Sequence, residues 1–206
     1  MIPAVILAAG LSTRMGRSKP LLPLTDGDTF VTRLVRSFAE AGVDDVVVVL
    51  GYKADAVAAK LVESGLAARL VINDAYQTGQ LSSVLRGLNA VDRPGVRAML
   101  LTLVDVPLVS PSTIRAVIDR YHATHAPIVR PVRGDEHGHP VLIDRSLFSL
   151  LRTADPSAGA KPVVRNHVSV AGDVVTEDDG AFTDIDTPEA YERLKSRISG
   201  IEDFRN

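Results

Sequence analysis

From Gly10 to Lys19 the chain reads Gly-Leu-Ser-Thr-Arg-Met-Gly-Arg-Ser-Lys, a small-residue loop carrying three cations that follows the apolar run Val5-Ile6-Leu7-Ala8-Ala9. Residues of these types hold phosphate. Gly10 and Gly16 can take positive φ and let backbone N–H groups approach an anion closely, while Ser12 and Thr13 add hydroxyl donors. Arg14 offers a planar fork for phosphate oxygens, and Lys19 a mobile point charge. The spacing excludes two common phosphate motifs. A P-loop has four residues between its glycines and a lysine directly after the second, whereas here five separate Gly10 from Gly16 and Lys19 lies three beyond. The dinucleotide fingerprint needs three glycines at fixed offsets, and only two are present. Pro20 and Pro23 argue against a long helix directly after the loop.

Carboxylates complete the chemistry that such a loop suggests. The apolar run Met99–Leu103 leads into Val104-Asp105-Val106-Pro107, which places Asp105 just past the end of a buried strand. Ligands of open α/β sheets gather at that edge. Mg²⁺ bound with phosphates takes one or two carboxylates and waters, so Asp105 is a candidate ligand; Asp before a proline is also a common turn former. Far along the chain, Asp184-Ile185-Asp186-Thr187-Pro188 sets two carboxylates on one side of an extended segment, ahead of a helix whose N-terminus favours an anion. Asp186 and Thr187 also suit a plain helix cap. Gly79, Ser82 and Ser83 combine a close-approach position with two hydroxyls near another helix start, where Ser82 serves equally well as a cap. Gly138-His139-Pro140 is a further candidate, with His139 as much a hydrogen-bonded structural residue as a functional one.

Positioning these groups requires a sheet with helices on both faces. Apolar runs of strand length at 3–9, 46–50, 70–72 and 99–103 alternate with helical spacing in Phe30/Leu34/Phe38/Ala41, Val57/Leu61/Val62, Leu81/Val84/Leu85/Leu88 and Ile114/Val117/Ile118/Tyr121. That rhythm predicts an α/β fold with a mainly parallel sheet. Beyond residue 126 the strands shorten, and 127–132, a polar turn at 134–138 and 140–143 read as a hairpin beside the parallel core. Residues 153–161 read as a loop, and a last helix runs from Pro188 to about Arg197. One domain over 1–198 is expected, with 199–206 as a flexible tail.

Composition bounds the rest. The 206 residues are 46% hydrophobic and 23% charged with net charge −2 and pI near 6.2, enough for one substantial core and without the basic stripe of a nucleic-acid binder. The absence of cysteine excludes disulfides and thiolate chemistry and suits a reducing cytosol. The first apolar run is far shorter than the ~20 residues that span a bilayer, so no membrane partner is expected and a cytoplasmic location is.

Leu7-Ala8-Ala9-Gly10, Ser12, Arg14-Met15-Gly16 and Lys19 resemble the signature of nucleotidyltransferases with a Rossmann-like NTP-transferase domain. Within that group the chain is most similar to the molybdenum cofactor cytidylyltransferases, relatives of the enzymes that make the guanine form of the cofactor. The resemblance implies a nucleotide-diphospho-sugar transferase-like fold. It implies that Leu7, Ala8, Ala9, Gly10, Ser12, Thr13 and Gly16 bind the nucleotide, that Arg14 and Lys19 offset charge on the α-phosphate and leaving pyrophosphate, and that Asp105 and the aspartate of Asp186-Thr187-Pro188 hold Mg²⁺. Gly79, Ser82 and Ser83 fall in a segment that contacts base and ribose, with Val84 where many members have Leu; Gly138 and His139 fall on the acceptor side. Ala9, where the guanosine-using branch has Gly, implies CTP. The implied acceptor is a phosphorylated small molecule, molybdenum-molybdopterin, and the implied recipient of the product is a molybdenum hydroxylase. Rival readings are transfer to a sugar or polyol phosphate, a redox enzyme of heterocycle breakdown, and a non-catalytic cofactor carrier.

Overall fold

Runs of Val, Leu, Ile and Ala form strands here because branched and apolar side chains fill a sheet that is covered on both faces. The computed structural model describes residues 1–24 and 27–202, with backbone alone for 199–202. In it β1 (Ala4–Ala8), β2 (Val46–Leu50), β3 (Arg69–Ile72) and β4 (Ala98–Leu103) pair in parallel in the order β3-β2-β1-β4. Every residue of β1 and β2 is buried. Successive side chains alternate between two cores. Ile6, Ala8, Val48 and Leu50 pack with the apolar residues of α1 (Phe30–Glu40), α2 (Ala54–Glu63), α4 (Pro111–Thr124) and α7 (Pro188–Glu202). Val5, Leu7, Val47 and Val49 pack beneath α3 (Gln80–Val91), α5 (Phe148–Arg152) and α6 (Lys161–Arg165). Gly87 lets α3 settle directly on β1, since a Cβ there would lie 2.3 Å from Val5 Cγ1.

The expected hairpin is present, but its second arm is inserted rather than appended. β7 (Val141–Asp144) runs antiparallel between β4 and β5 (Ile128–Arg133), while β6 (Glu136–His137) pairs antiparallel with the last residues of β5. A last short strand, β8 (Asp173–Val175), joins β5 in parallel and completes an eight-stranded sheet. β6, β8, α5 and α6 were not expected; each is five residues or fewer, too short to carry a periodic signal. The final helix continues past the anticipated Arg197 to Glu202, and residues 203–206 of the expected tail lie outside the described residues. Among the described residues no helix is long and apolar enough to cross a membrane.

The chain leaves β1 toward β2 and β3, then returns to the other side of β1 for β4. The carboxyl ends of β1 and β4 therefore sit side by side where the winding reverses, which is where α/β sheets open a crevice for ligands.

Candidate active site

The loop leaving β1 is folded around Ser12, which takes a left-handed backbone at φ 55. Its carbonyl accepts from Met15 N and Gly16 N, both at 3.1 Å, and its Oγ accepts from Lys19 N at 3.1 Å. Gly16 supplies the second positive φ, 67, whereas Gly10 stays outside the left-handed region. Met15 is buried and anchors the loop to the core. A single 3₁₀ turn, Lys19–Leu21 with Pro20 in its first positions, follows in place of a long helix. That turn buries the Lys19 stem and directs its ammonium beneath the loop.

Two distant carboxylates meet this ammonium. Lys19 Nζ donates to Asp105 Oδ2 at 3.1 Å and to Asp186 Oδ1, and Arg14 Nη2 reaches Asp186 Oδ2 at 2.8 Å. The segment bearing Asp184 and Asp186 is fastened at two points. Asp178 Oδ2 accepts from Ser110 N at 2.9 Å, Ser110 Oγ at 2.7 Å and Thr113 Oγ1 at 2.6 Å, while its Oδ1 accepts from Gly180 N at 3.0 Å. Further along, Ile185 N donates to the Asp105 carbonyl at 2.7 Å, tying the residue before Asp186 to the backbone of the other carboxylate. Thr187 then caps α7 through Ala190 N at 3.3 Å.

The electrostatics follow from this crowding. Burial works to raise the Asp186 carboxyl, but hydrogen bonding and charge from Lys19, with Arg14, overcome it and hold it below the usual carboxylate range. Asp184 is pushed up, first by burial and then by Asp105. Asp105 Oδ1 is buried with no hydrogen-bond partner among the described residues, a costly state for a carboxylate oxygen. An orphaned oxygen beside a second carboxylate fits a hard divalent cation. Among the described residues no group of three or more His, Cys, Asp or Glu side chains could hold a metal by itself. The donor set therefore suits an ion that completes its shell with phosphate oxygens and water.

A cleft runs from Ser12 and Lys19 past Ala9 and Gly10 to Gly79 and Ser83, with Asp105 at its base. Leu7 also borders it, while Ala8 points into the opposite core. Thr13 and Gly16 face a separate shallow surface with Tyr52 and Lys53. Gly79 adopts φ 119 and ψ 166, a conformation open to glycine, and starts α3. Asn73, almost fully buried, organises this wall: its Nδ2 donates to Ser82 Oγ and Ser83 Oγ, each at 2.9 Å, and its Oδ1 accepts from Ala75 N at 3.1 Å. Ser82 Oγ also turns back to the Gly79 carbonyl at 2.8 Å, so Ser83 rather than Ser82 borders the cleft. The role of Asn73 was not read from sequence, although an amide placed directly after a strand is a visible signal. Asp178 carried none, because three of its four donors come from Ser110 and Thr113 at the start of α4, far away in sequence.

A second cavity adjoins the first, sharing Leu7, Gln80 and Leu103 with it. His139 and Asp184 border this cavity. Burial holds the His139 imidazole below its ordinary range, with the Leu101 carbonyl, 3.5 Å from Nδ1, opposing. Gly138 faces neither cavity. A Cβ there would lie 2.6 Å from the Ala181 carbonyl oxygen, so the glycine permits the turn to press against the segment leading to Asp184.

Residues 4–170 match the family described as the MobA-like NTP transferase domain. The chain is 31% identical over 201 residues to the nicotine blue oxidoreductase of Paenarthrobacter nicotinovorans, covering 94% of this chain and 96% of that protein. It is 25% identical over 201 residues to the probable molybdenum cofactor guanylyltransferase of Natronomonas pharaonis, covering 95% and 97% of the two chains. The manganese complex of Rv0371C from Mycobacterium tuberculosis superimposes with a TM-score of 0.73 at 29% identity, covering 95% of this chain and 97% of that one.

Proposed function

Because the chain belongs to the MobA-like NTP transferase domain family, a family of nucleotidyltransferases, we propose that it transfers CMP from CTP to molybdenum-molybdopterin, forming the cytosine dinucleotide and pyrophosphate. The observation that carries the reading is the meeting of Asp105, Asp186 and Lys19 beneath a phosphate-type loop. A terminal phosphate oxygen of the acceptor attacks the α-phosphorus of CTP. One P–O bond forms as the bond to the bridging oxygen breaks, and its electron pair leaves with pyrophosphate. The attacking oxygen is already an anion, so no protein nucleophile or base is needed, and catalysis is positioning with charge stabilisation.

Asp105 and Asp186 would hold Mg²⁺, and the manganese complex of the mycobacterial relative supports a divalent ion. When bound, that ion supplies positive charge to the transferring phosphate. Lys19 and Arg14, now paired with the carboxylates, turn to the phosphate oxygens of the nucleotide. Gly10 and Ser12 receive the phosphates, while Gly79 and Ser83, braced by Asn73, receive the nucleoside. Leu7 and Ala9 form the apolar floor, and Ala9 is the basis for preferring CTP. The contributions of Ala8, Thr13, Gly16 and Ser82 are to shape the loop and the start of α3. His139 borders the acceptor side, and Gly138 lets its turn pack against Ala181. On this reading the enzyme works in the cytoplasm and hands its product to a molybdenum hydroxylase.

The test is pyrophosphate release with CTP, GTP, UTP or ATP, Mg²⁺ and candidate acceptors. CTP with molybdenum-molybdopterin should give the highest kcat/KM, and Asp105→Asn or Asp186→Asn should lower it by roughly 10²–10³, the scale of losing a group that stabilises transition-state charge. Turnover with a sugar phosphate alone would replace the acceptor, and tight binding without turnover would favour a carrier. The identity to nicotine blue oxidoreductase supports a second, redox reading. Nicotinamide or flavin retained through purification would favour it.

A further inference from the structure

The second cavity is richer in positive charge than nucleotidyl transfer alone requires. Arg130 projects into it from β5 with its side chain 12% exposed; it approaches Asp173 only at 3.7 Å, and its buried Nε has no hydrogen-bond partner among the described residues. A buried guanidinium left so poorly paired is costly unless something else completes it. Lys161 and Arg165 reach the same cavity from successive turns of α6, and neither forms an ion pair among the described residues. Val164 of α6 and Leu101 and Val141 of the sheet form its apolar wall. The cavity volume, about 430 Å³, is that of a small-molecule site.

Its placement relates it to the reaction. Asp184, two residues before Asp186, borders this cavity at the end nearest Asp105, and the shared Leu7, Gln80 and Leu103 make the two spaces continuous. A molecule spanning this cavity would reach from Asp184 to the cations Arg130, Lys161 and Arg165.

We infer that this cavity is the acceptor subsite and that Arg130, Lys161 and Arg165 form a second anion site in it, selecting phosphomonoester acceptors that carry another negatively charged group remote from the attacking phosphate. The inference rests on the nucleotidyl-transfer reading above, yet it makes a separate demand on binding. The chemistry is unchanged by it; the three cations position the acceptor and touch none of the reacting atoms. Guanidinium and ammonium groups against an apolar wall favour an anion on a compact, partly apolar body over a neutral polyol.

The experiment is a ³¹P NMR titration of the full chain with ω-carboxyalkyl phosphates of graded length, each beside the alkyl phosphate of equal length. At the best-matched length the carboxylate should tighten Kd by about tenfold, the equivalent of ~1.4 kcal/mol. Lys161→Glu/Arg165→Glu, on an exposed helix face, should reverse the preference, and Arg130→Lys should weaken it without abolishing it. Equal affinities for both series at every length, or an unchanged preference in the double variant, would overturn the inference. Nucleotide binding by the unmodified protein is measured separately, so a failure of acceptor selectivity with intact CTP binding removes only this inference. Loss of CTP binding with selectivity retained removes the transfer reading instead.

Discussion

Asp178 is the fastening on which the second carboxylate depends, and its removal should be felt in both stability and metal binding. Four donors converge on it: Ser110 N, Ser110 Oγ, Thr113 Oγ1 and Gly180 N, at 2.6 to 3.0 Å. In Asp178→Ala the two hydroxyls can bond each other, since Ser110 Oγ and Thr113 Oγ1 already stand 3.1 Å apart. The two backbone amides have no such substitute. Losing a charged partner costs each amide about 1.5–2 kcal/mol, and losing an anion at the start of α4 costs about 0.5 kcal/mol more, giving about 4 kcal/mol in all. Asp178→Asn keeps one acceptor oxygen and should cost about half as much. Urea unfolding measures this as a lower midpoint at unchanged slope. The same variant loosens the segment that holds Asp186 beside Asp105, so Mn²⁺ affinity in the presence of CTP should fall at least tenfold, about 1.4 kcal/mol. A stability loss below about 1 kcal/mol, typical of a surface substitution, would refute the fastening. Full stability loss with unchanged metal affinity would refute its connection to the site.

Lys19→Met removes the ammonium that bridges Asp105 and Asp186, so Mn²⁺ affinity without nucleotide should rise about tenfold while CTP affinity falls; paramagnetic titration reads the first, and no gain there would contradict the bridging role. Gly138→Ala places a Cβ 2.6 Å from the Ala181 carbonyl oxygen and should cost about 1–3 kcal/mol in urea unfolding, with a neutral effect ruling out the close packing. Burial is the largest influence on Asp28 and raises its carboxyl, but hydrogen bonds from Arg36 and Thr32 with the charge of Arg36 leave it below the usual range. Its contribution to stability is therefore complete above the unfolded value of about 4 and is lost as pH falls through the lower folded value. Asp28→Asn should flatten that acid limb of the unfolding midpoint, and an unchanged limb would exclude the contribution.

The parallel core was legible because β1, β2 and β4 are continuous apolar runs whose length and separation admit few arrangements. The loop from Gly10 to Lys19 was legible by composition, and the joining of Asp105 with Asp186 followed from family resemblance rather than from spacing. The geometry shows why spacing is silent: the two are brought together by Asp178 and by the Ile185–Asp105 backbone bond, both long-range contacts. Hydroxyl roles were hard to assign for a similar reason. Ser82 and Ser83 are adjacent and alike in sequence, and only the position of Asn73 and the direction of α3 separate the one bonded to backbone from the one bordering the cleft. The insertion of β7 between β4 and β5 was likewise hidden, since a hairpin reads the same whichever arm meets the core.

On the proposed mechanism two acidic groups, one after β4 and one before α7, share a divalent ion with the nucleotide. The decisive experiment is a crystal structure of the complex with CTP and Mg²⁺. Carboxylate oxygens of both Asp105 and Asp186 should lie at about 2.0–2.1 Å from the ion, with Lys19 Nζ withdrawn onto the triphosphate. An ion bound to the triphosphate with neither carboxylate near it, directly or through a water, would rule out the shared site.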